Sequence, residues 1–165
     1  PATDTTPCEN RVFTVEPLVN LGIDLPGSLE EGSAPPPVPV GDGFTIDVEI
    51  GNLAPEGVAG QIAQAIALQG KIDTPGVVFT GSSLGDCTIS ADGRSIDCDF
   101  GDFAPGEQRT VTLSFQAVSG ELDDLRVGID LSVTTSSPAI NEVTEAYLVR
   151  DVRGTRIFRN GFDQP

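Results

Sequence analysis

Apolar residues recur at every second position in block after block of this chain, which is the pattern of half-buried strands. Val19, Leu21, Ile23 and Leu25 form one block, and Phe44, Ile46, Val48 and Ile50 a second. Val111, Leu113 and Phe115 form a third, and Val127, Ile129, Leu131 and Val133 a fourth. Turn-forming residues stand between such blocks: Pro26-Gly27, Gly41-Asp42-Gly43, Pro55-Glu56-Gly57, Pro75-Gly76, Pro105-Gly106 and Ser136-Ser137-Pro138. Seven or so short strands at this spacing predict an antiparallel all-β sandwich.

One stretch resists the pattern. Val58 to Gly70 reads as a helix with Ile62, Ala65, Ile66 and Gln69 on one face, and its alternation as a strand is imperfect. Flanking strands and missing caps decide for a strand. Residues 26–43 are a proline-rich connection centred on Ser33 to Val40. Such a run is extended and cannot donate to a ladder, so it crosses an edge or passes between sheets.

Cys87 to Cys98 reads as a hairpin closed by its own cysteines. Asp92-Gly93 predicts a two-residue type I′ turn, with both central residues at positive φ. That register sets Ala91 opposite Arg94, Ser90 opposite Ser95, and Cys87 opposite Cys98. Opposed residues have Cα atoms roughly 4.5–5.5 Å apart, within reach of a disulfide. A disulfide in turn implies an oxidising compartment.

At 165 residues the chain suits a single domain with a core of its own. Twenty-five acidic residues against nine basic ones give a formal charge of −16. That excess repels nucleic acid and anionic membrane surfaces, which call for clustered Lys or Arg. No run approaches the length of a membrane span. The chain opens Pro1-Ala2-Thr3 without an initiator methionine, read as a secreted protein whose signal peptide has been removed.

Candidate chemistry is sparse. The absence of histidine excludes Ser-His-Asp and Cys-His arrangements and histidine metal sites. Carboxylate pairs could serve glycoside hydrolysis, but the acids are scattered through turns and no aromatic platform for a sugar stands out. The expectation is a protein that is not an enzyme. Calcium is the one cofactor considered, through Asp97, Asp99 and Asp102, since that ion takes several carboxylate oxygens. The glutamate that ends a calcium loop is missing there, and solubilising charge is the plainer account. Lys71, the sole lysine, raises an intramolecular isopeptide bond, but its strand parity with Gln69 and Asp73 points it to solvent. Cys8 is left over, as a buried thiol or an intermolecular bridge.

Taken together, several segments resemble the immunoglobulin-like conserved repeat domain of unknown function found in bacterial surface and secreted proteins. They are Val40 to Asn52, Cys87 to Cys98, Phe103-Ala104-Pro105-Gly106-Glu107 with Thr110-Val111-Thr112, and Ser137 to Glu142. The resemblance covers residues 18–150 and implies an immunoglobulin-like β-sandwich acting as a spacer, stalk or adhesive module, with no catalytic residue to carry over. Residues 1–17 and 151–165 are then extensions. Within the second, Ile157-Phe158-Arg159-Asn160-Gly161-Phe162-Asp163 is similar to an ending seen on secreted proteins of some Gram-negative bacteria.

Both extensions carry apolar residues suited to contact with a neighbour: Val12, Phe13 and Val15 in the first, Ile157, Phe158 and Phe162 in the second. An alternating segment can satisfy the open edge of another sheet, and head-to-tail addition builds filaments. The sequence therefore points to a self-associating subunit of an extracellular surface filament. The alternative is a monomeric adhesive or receptor-like module for an external protein or glycan.

Overall fold

The computed structural model describes residues 19–26, 36–53, 60–84, 86–118 and 125–153. Among them there are eleven strands and no helix. The order is β1 (Val19–Asp24), β2 (Val38–Pro39), β3 (Gly43–Asn52), β4 (Ala63–Ile72), β5 (Val77–Ser82) and β6 (Cys87–Ile89). It continues with β7 (Ser95–Phe103), β8 (Gln108–Ala117), β9 (Leu125–Thr134), β10 (Ala139–Val143) and β11 (Glu145–Arg153). One sheet runs β10-β1-β3-β8-β5, the other β2-β11-β9-β4-β7-β6. Together they form the immunoglobulin-like β-sandwich expected.

Alternation places the core. Leu21, Ile46, Val48, Ile50, Val111, Leu113 and Phe115 are buried from the five-stranded sheet. Ile66, Leu68, Ile72, Ile96, Ile129, Leu131, Leu148 and Val152 are buried from the six-stranded one. Each such side chain contributes about 1.5–3 kcal/mol relative to an exposed one. Phe115 links rings along its sheet, stacking on Phe44 at 4.9 Å and meeting Phe79 at 4.8 Å between centroids.

The fold departs from the sequence reading in two respects. Two pairings are parallel, β1 with β10 and β2 with β11, so the sandwich is not antiparallel throughout. Both pairings bring together strands far apart in sequence, which a search for hairpins does not reveal. Eleven strands also replace the seven or so expected, because short edge pieces such as β2 and β6 carry too few residues to show alternation.

From Ala63 onward the ambiguous stretch is a strand, and its faulty alternation has a cause; Val58 and Ala59 lie outside the described residues. Ala63 pairs with Phe103, Ile66 with Gly101 and Ala67 with Asp99. An extra residue on β4 is followed at once by an extra residue on β7, so the ladder returns to its first register. Ala65, at φ 49°, marks the bulge. Gln64 and Ala65 both face out while Ala63 and Ile66 both face in. One inserted residue shifts the phase of every position after it.

Candidate functional site: the edge of β11 and the outer face beside it

β11 lies next to last in its sheet, and the strand beyond it is very short. β2 contributes Val38 and Pro39, opposite Val152 and Arg153 only. Pro36 and Pro37, immediately before β2, have no N–H with which to lengthen that pairing. On the other side β11 pairs with β9 from Glu145 opposite Ser132 to Val152 opposite Leu125. The Val133 N–H donates to the Thr144 carbonyl at 2.9 Å, which fixes the phase of that ladder. By the alternation of antiparallel pairs, the main-chain groups of Glu145, Tyr147 and Val149 turn away from β9. Among the described residues no strand pairs with them, and they form an open edge.

Two cross-strand rows run inward from this edge over the outer face of the sheet. The first is Glu145, Ser132, Gln69 and Asp97; the second is Tyr147, Asp130, Lys71 and Ser95. They line an open groove of about 740 Å³. Asp97, Asp130 and Glu145 outnumber Lys71, so the groove is acidic. Desolvation, then the charge of Asp73 and a hydrogen bond with it, push the Asp130 carboxyl above its ordinary value. Tyr147 is 58% exposed, yet its ring leans over Gly128 of β9, the space a side chain there would fill. Val149, farther along the edge, is also exposed.

The sequence reading did not single out Tyr147. Its only signals were that it is the sole tyrosine and that Glu145, Tyr147 and Val149 alternate with buried Leu148. Lys71 is exposed in this groove, opposite Asp130 and Ser95, in keeping with its parity and away from any core.

Cys87 and Cys98 are opposed in the β6–β7 ladder and bonded, with Cα atoms 4.0 Å apart. The Asp99 N–H donates to Asp86 O on one side, and Ser90 N–H to Ser95 O toward the turn. The cysteines therefore occupy a non-hydrogen-bonded pair, where side chains lie closest. The register is as expected, but the turn is not type I′. Gly93 is at φ 69°, whereas Asp92 is not at positive φ. The Gly93 N–H donates to Ser90 O at 2.8 Å, so the chain turns over Ser90 to Gly93. Asp92 Oδ1 accepts from the Ser90 hydroxyl at 2.6 Å and the Arg94 N–H at 3.1 Å. Those bonds, the Ser90 one foremost, also hold its carboxyl below its ordinary value.

Asp97, Asp99 and Asp102 are not brought together as an ion site. Asp97 belongs to the outer-face row, Asp99 Oδ1 accepts from Gly101 N–H, and Asp102 Oδ1 accepts from Ala65 N–H at the bulge. Among the described residues no three acidic, cysteine or histidine side chains form a metal-holding group. Cys8, Val12, Phe13, Val15, Ile157, Phe158 and Phe162 lie outside the described residues.

Two features, one buried and one half-buried, escaped the sequence reading. Asn52, 1% exposed, donates through Nδ2 to Gln61 O at 2.8 Å and Phe103 O at 3.2 Å. Its main chain bonds to Glu107 and Gly106, fastening the end of β3 to the Ala104–Glu107 turn. Arg109 then braces that turn, pairing with Glu107 Oε1 at 2.6 Å and lying 4.2 Å from the Phe103 ring centre.

No family model matches the chain, and no curated protein matches it. Solved structures do resemble it. AvmM, which catalyses macrocyclization in alchivemycin A biosynthesis, aligns over 84% of this chain and 90% of its own, at 11% identity and TM-score 0.46. A cohesin module from a Clostridium perfringens family 33 glycoside hydrolase covers 84% of this chain and 99% of its own, at 9% identity and TM-score 0.45. The collagen-binding domain from a Staphylococcus aureus adhesin covers 85% and 99%, at 8% identity and TM-score 0.36. Likeness at this level concerns the arrangement of strands and carries no functional argument. Among the described residues no helix is long and apolar enough to cross a membrane.

Proposed function

We propose that this chain is a secreted bacterial structural protein whose copies self-associate by β-strand addition into an extracellular surface filament. The observation that supports this reading is the open edge of β11 at Glu145, Tyr147 and Val149, which β2 leaves uncovered. Unpaired main-chain groups in a row favour an added strand, and side chains on its two faces then set specificity. The sandwich runs on through β11 to Arg153, past the boundary at 150 expected from the sequence, and the chain carries suitable segments before and after it, in residues 1–17 and 154–165. The Cys87–Cys98 bond suits an oxidising, extracellular setting. No catalytic step and no cofactor enters this reading, and it follows the family resemblance to surface spacers and stalks.

Light scattering on the native protein, paired with electron microscopy, is the test. Self-association gives a mass that climbs above the 17.2 kDa chain with concentration, and elongated particles. A monomer at every concentration overturns the filament and leaves the adhesive module for an external protein or glycan.

A further inference from the structure

The open edge and the acidic groove beside it are continuous, and together they distinguish between the two extensions. Residues 1–18 carry Asp4, Glu9 and Glu16 against Arg11, so they are acidic like the groove. Residues 154–165 carry Arg156 and Arg159 against Asp163, a net positive stretch in a chain of charge −16. Charge complementarity therefore selects the second extension, because like charges on facing groups disfavour the first.

The same edge also indicates whose extension it is. β11 ends at Arg153, so its own following segment would have to fold back as a hairpin along the outer edge. Its first residues would need the edge position at Val152 and Arg153, and β2 already holds it through Val38 and Pro39. A segment arriving from elsewhere meets no such block at Glu145, Tyr147 and Val149 among the described residues.

We propose that residues 154–165 of a second copy of this chain add along the edge of β11. One of Arg156 and Arg159 then lies on the outer face beside Glu145 and the exposed ring of Tyr147, with Asp130 one strand further in. This rests on the filament reading and names its acceptor and donor. A guanidinium is suited to both features of the groove, pairing with carboxylates and lying over an aromatic face. The alternation of the segment carries Ile157 and Arg159 to one side and Arg156 and Phe158 to the other.

Charge exchange in the full chain tests it. One variant reverses the groove, Asp130→Lys with Glu145→Lys; the other reverses the segment, Arg156→Glu with Arg159→Glu. All four positions avoid the described core, and circular dichroism with the melting temperature checks that each variant folds. Each alone should be monomeric by light scattering at concentrations where the unaltered chain associates. Mixed, they should co-assemble in alternation, because the segment of each matches the groove of the other, and a chain carrying all four changes should assemble on its own again. Added salt should weaken the unaltered assembly, since exposed charges are screened.

If the groove-reversed chain assembles as the unaltered one does, this acceptor is wrong while the filament reading stands. If both variants are monomers but their mixture stays monomeric, the second-copy occupant is wrong. A monomeric unaltered chain overturns both readings together.

Discussion

The ring of Tyr147 on β11 lies across Gly128 on β9, with Cζ 2.9 Å from where a Cβ on that glycine would stand. Gly128 sits between buried Val127 and Ile129 in an otherwise regular strand, and the missing side chain is what lets the phenol lie down on the sheet. Gly128→Ala should push the ring off the sheet. Since the chain has one tyrosine and no tryptophan, its emission reports on this ring alone. Iodide should quench that emission more strongly in the variant, at a stability cost of under about 1 kcal/mol, because the ring that covers buried Gly128 can swing into solvent. Unchanged quenching would mean the ring is not held over Gly128.

How much of this was legible beforehand depends on whether the signal was local. The alternation in Phe44 to Ile50 and in Val127 to Val133 was enough to identify strands and their buried faces, because burial on one face enforces period two. The opposition of Cys87 and Cys98 followed from counting back from a turn. The count survived a different turn because Ser90 and Ser95 still pair. What escaped was non-local. Nothing in Val38-Pro39 or Ala139-Ile140 announces a parallel partner more than a hundred residues away. Asn52 looks like any strand-end polar residue until Gln61 and Phe103 present their carbonyls to it. Tyr147 gains its setting only from β9 and β4, and the phase shift at Ala65 is understandable only beside the answering extra residue on β7.

Intact-mass measurement before and after reduction should show Cys87 and Cys98 bridged in native protein. The bond closes a short loop, so replacing both cysteines by alanine should cost roughly 2.5–3 kcal/mol in the chain-entropy account. The strand pairings of β7 with β4 should hold the fold together at lower denaturant midpoint. Free thiols at either position in unreduced protein would contradict the observed pairing.

Asn52 donates both hydrogens of its amide inside the sandwich, and its two acceptors have no alternative donor at that side chain. Asn52→Leu keeps a similar volume but leaves the Phe103 carbonyl buried without that bond. An unsatisfied buried group costs about 1–3 kcal/mol. Asn52→Asp should be worse, because it sets a carboxylate against two carbonyl oxygens. Urea melts order the three proteins, and an aspartate variant as stable as the asparagine parent would mean the amide is not donating there.

Calcium should not alter the melt. Asp99 and Asp102 spend carboxylate oxygens on the N–H groups of Gly101 and Ala65, and Asp97 faces a different row. A native-state ligand raises the melting temperature by mass action. Scans in excess calcium and in chelator should therefore superimpose, and a calcium-dependent rise of several degrees would contradict this account of the three aspartates.

Glu107 gives the sandwich a defined acid sensitivity. Its carboxylate accepts the Ala104 N–H through Oε2 at 2.7 Å and the Arg109 guanidinium through Oε1. The Ala104 bond foremost, then Arg109, holds its pKa below the ordinary 4.5. A carboxyl with a lowered folded value stabilises fully above its unfolded value, and that stabilisation is lost as pH falls through the folded one. Glu107→Gln should therefore be less stable than the parent at pH 7. The gap should begin to close below about 4.5 and vanish once both states bind the proton. Asp130 works in the opposite sense, because its raised value means that mild acid relieves a carboxylate disfavoured by desolvation and then by Asp73. That contribution is common to parent and variant, so the difference between their urea midpoints at pH 7 and at pH 3 isolates Glu107. A difference that stays constant across this range would assign the loss to the amide's shape, and the charge on Glu107 would then have no part in bracing the turn.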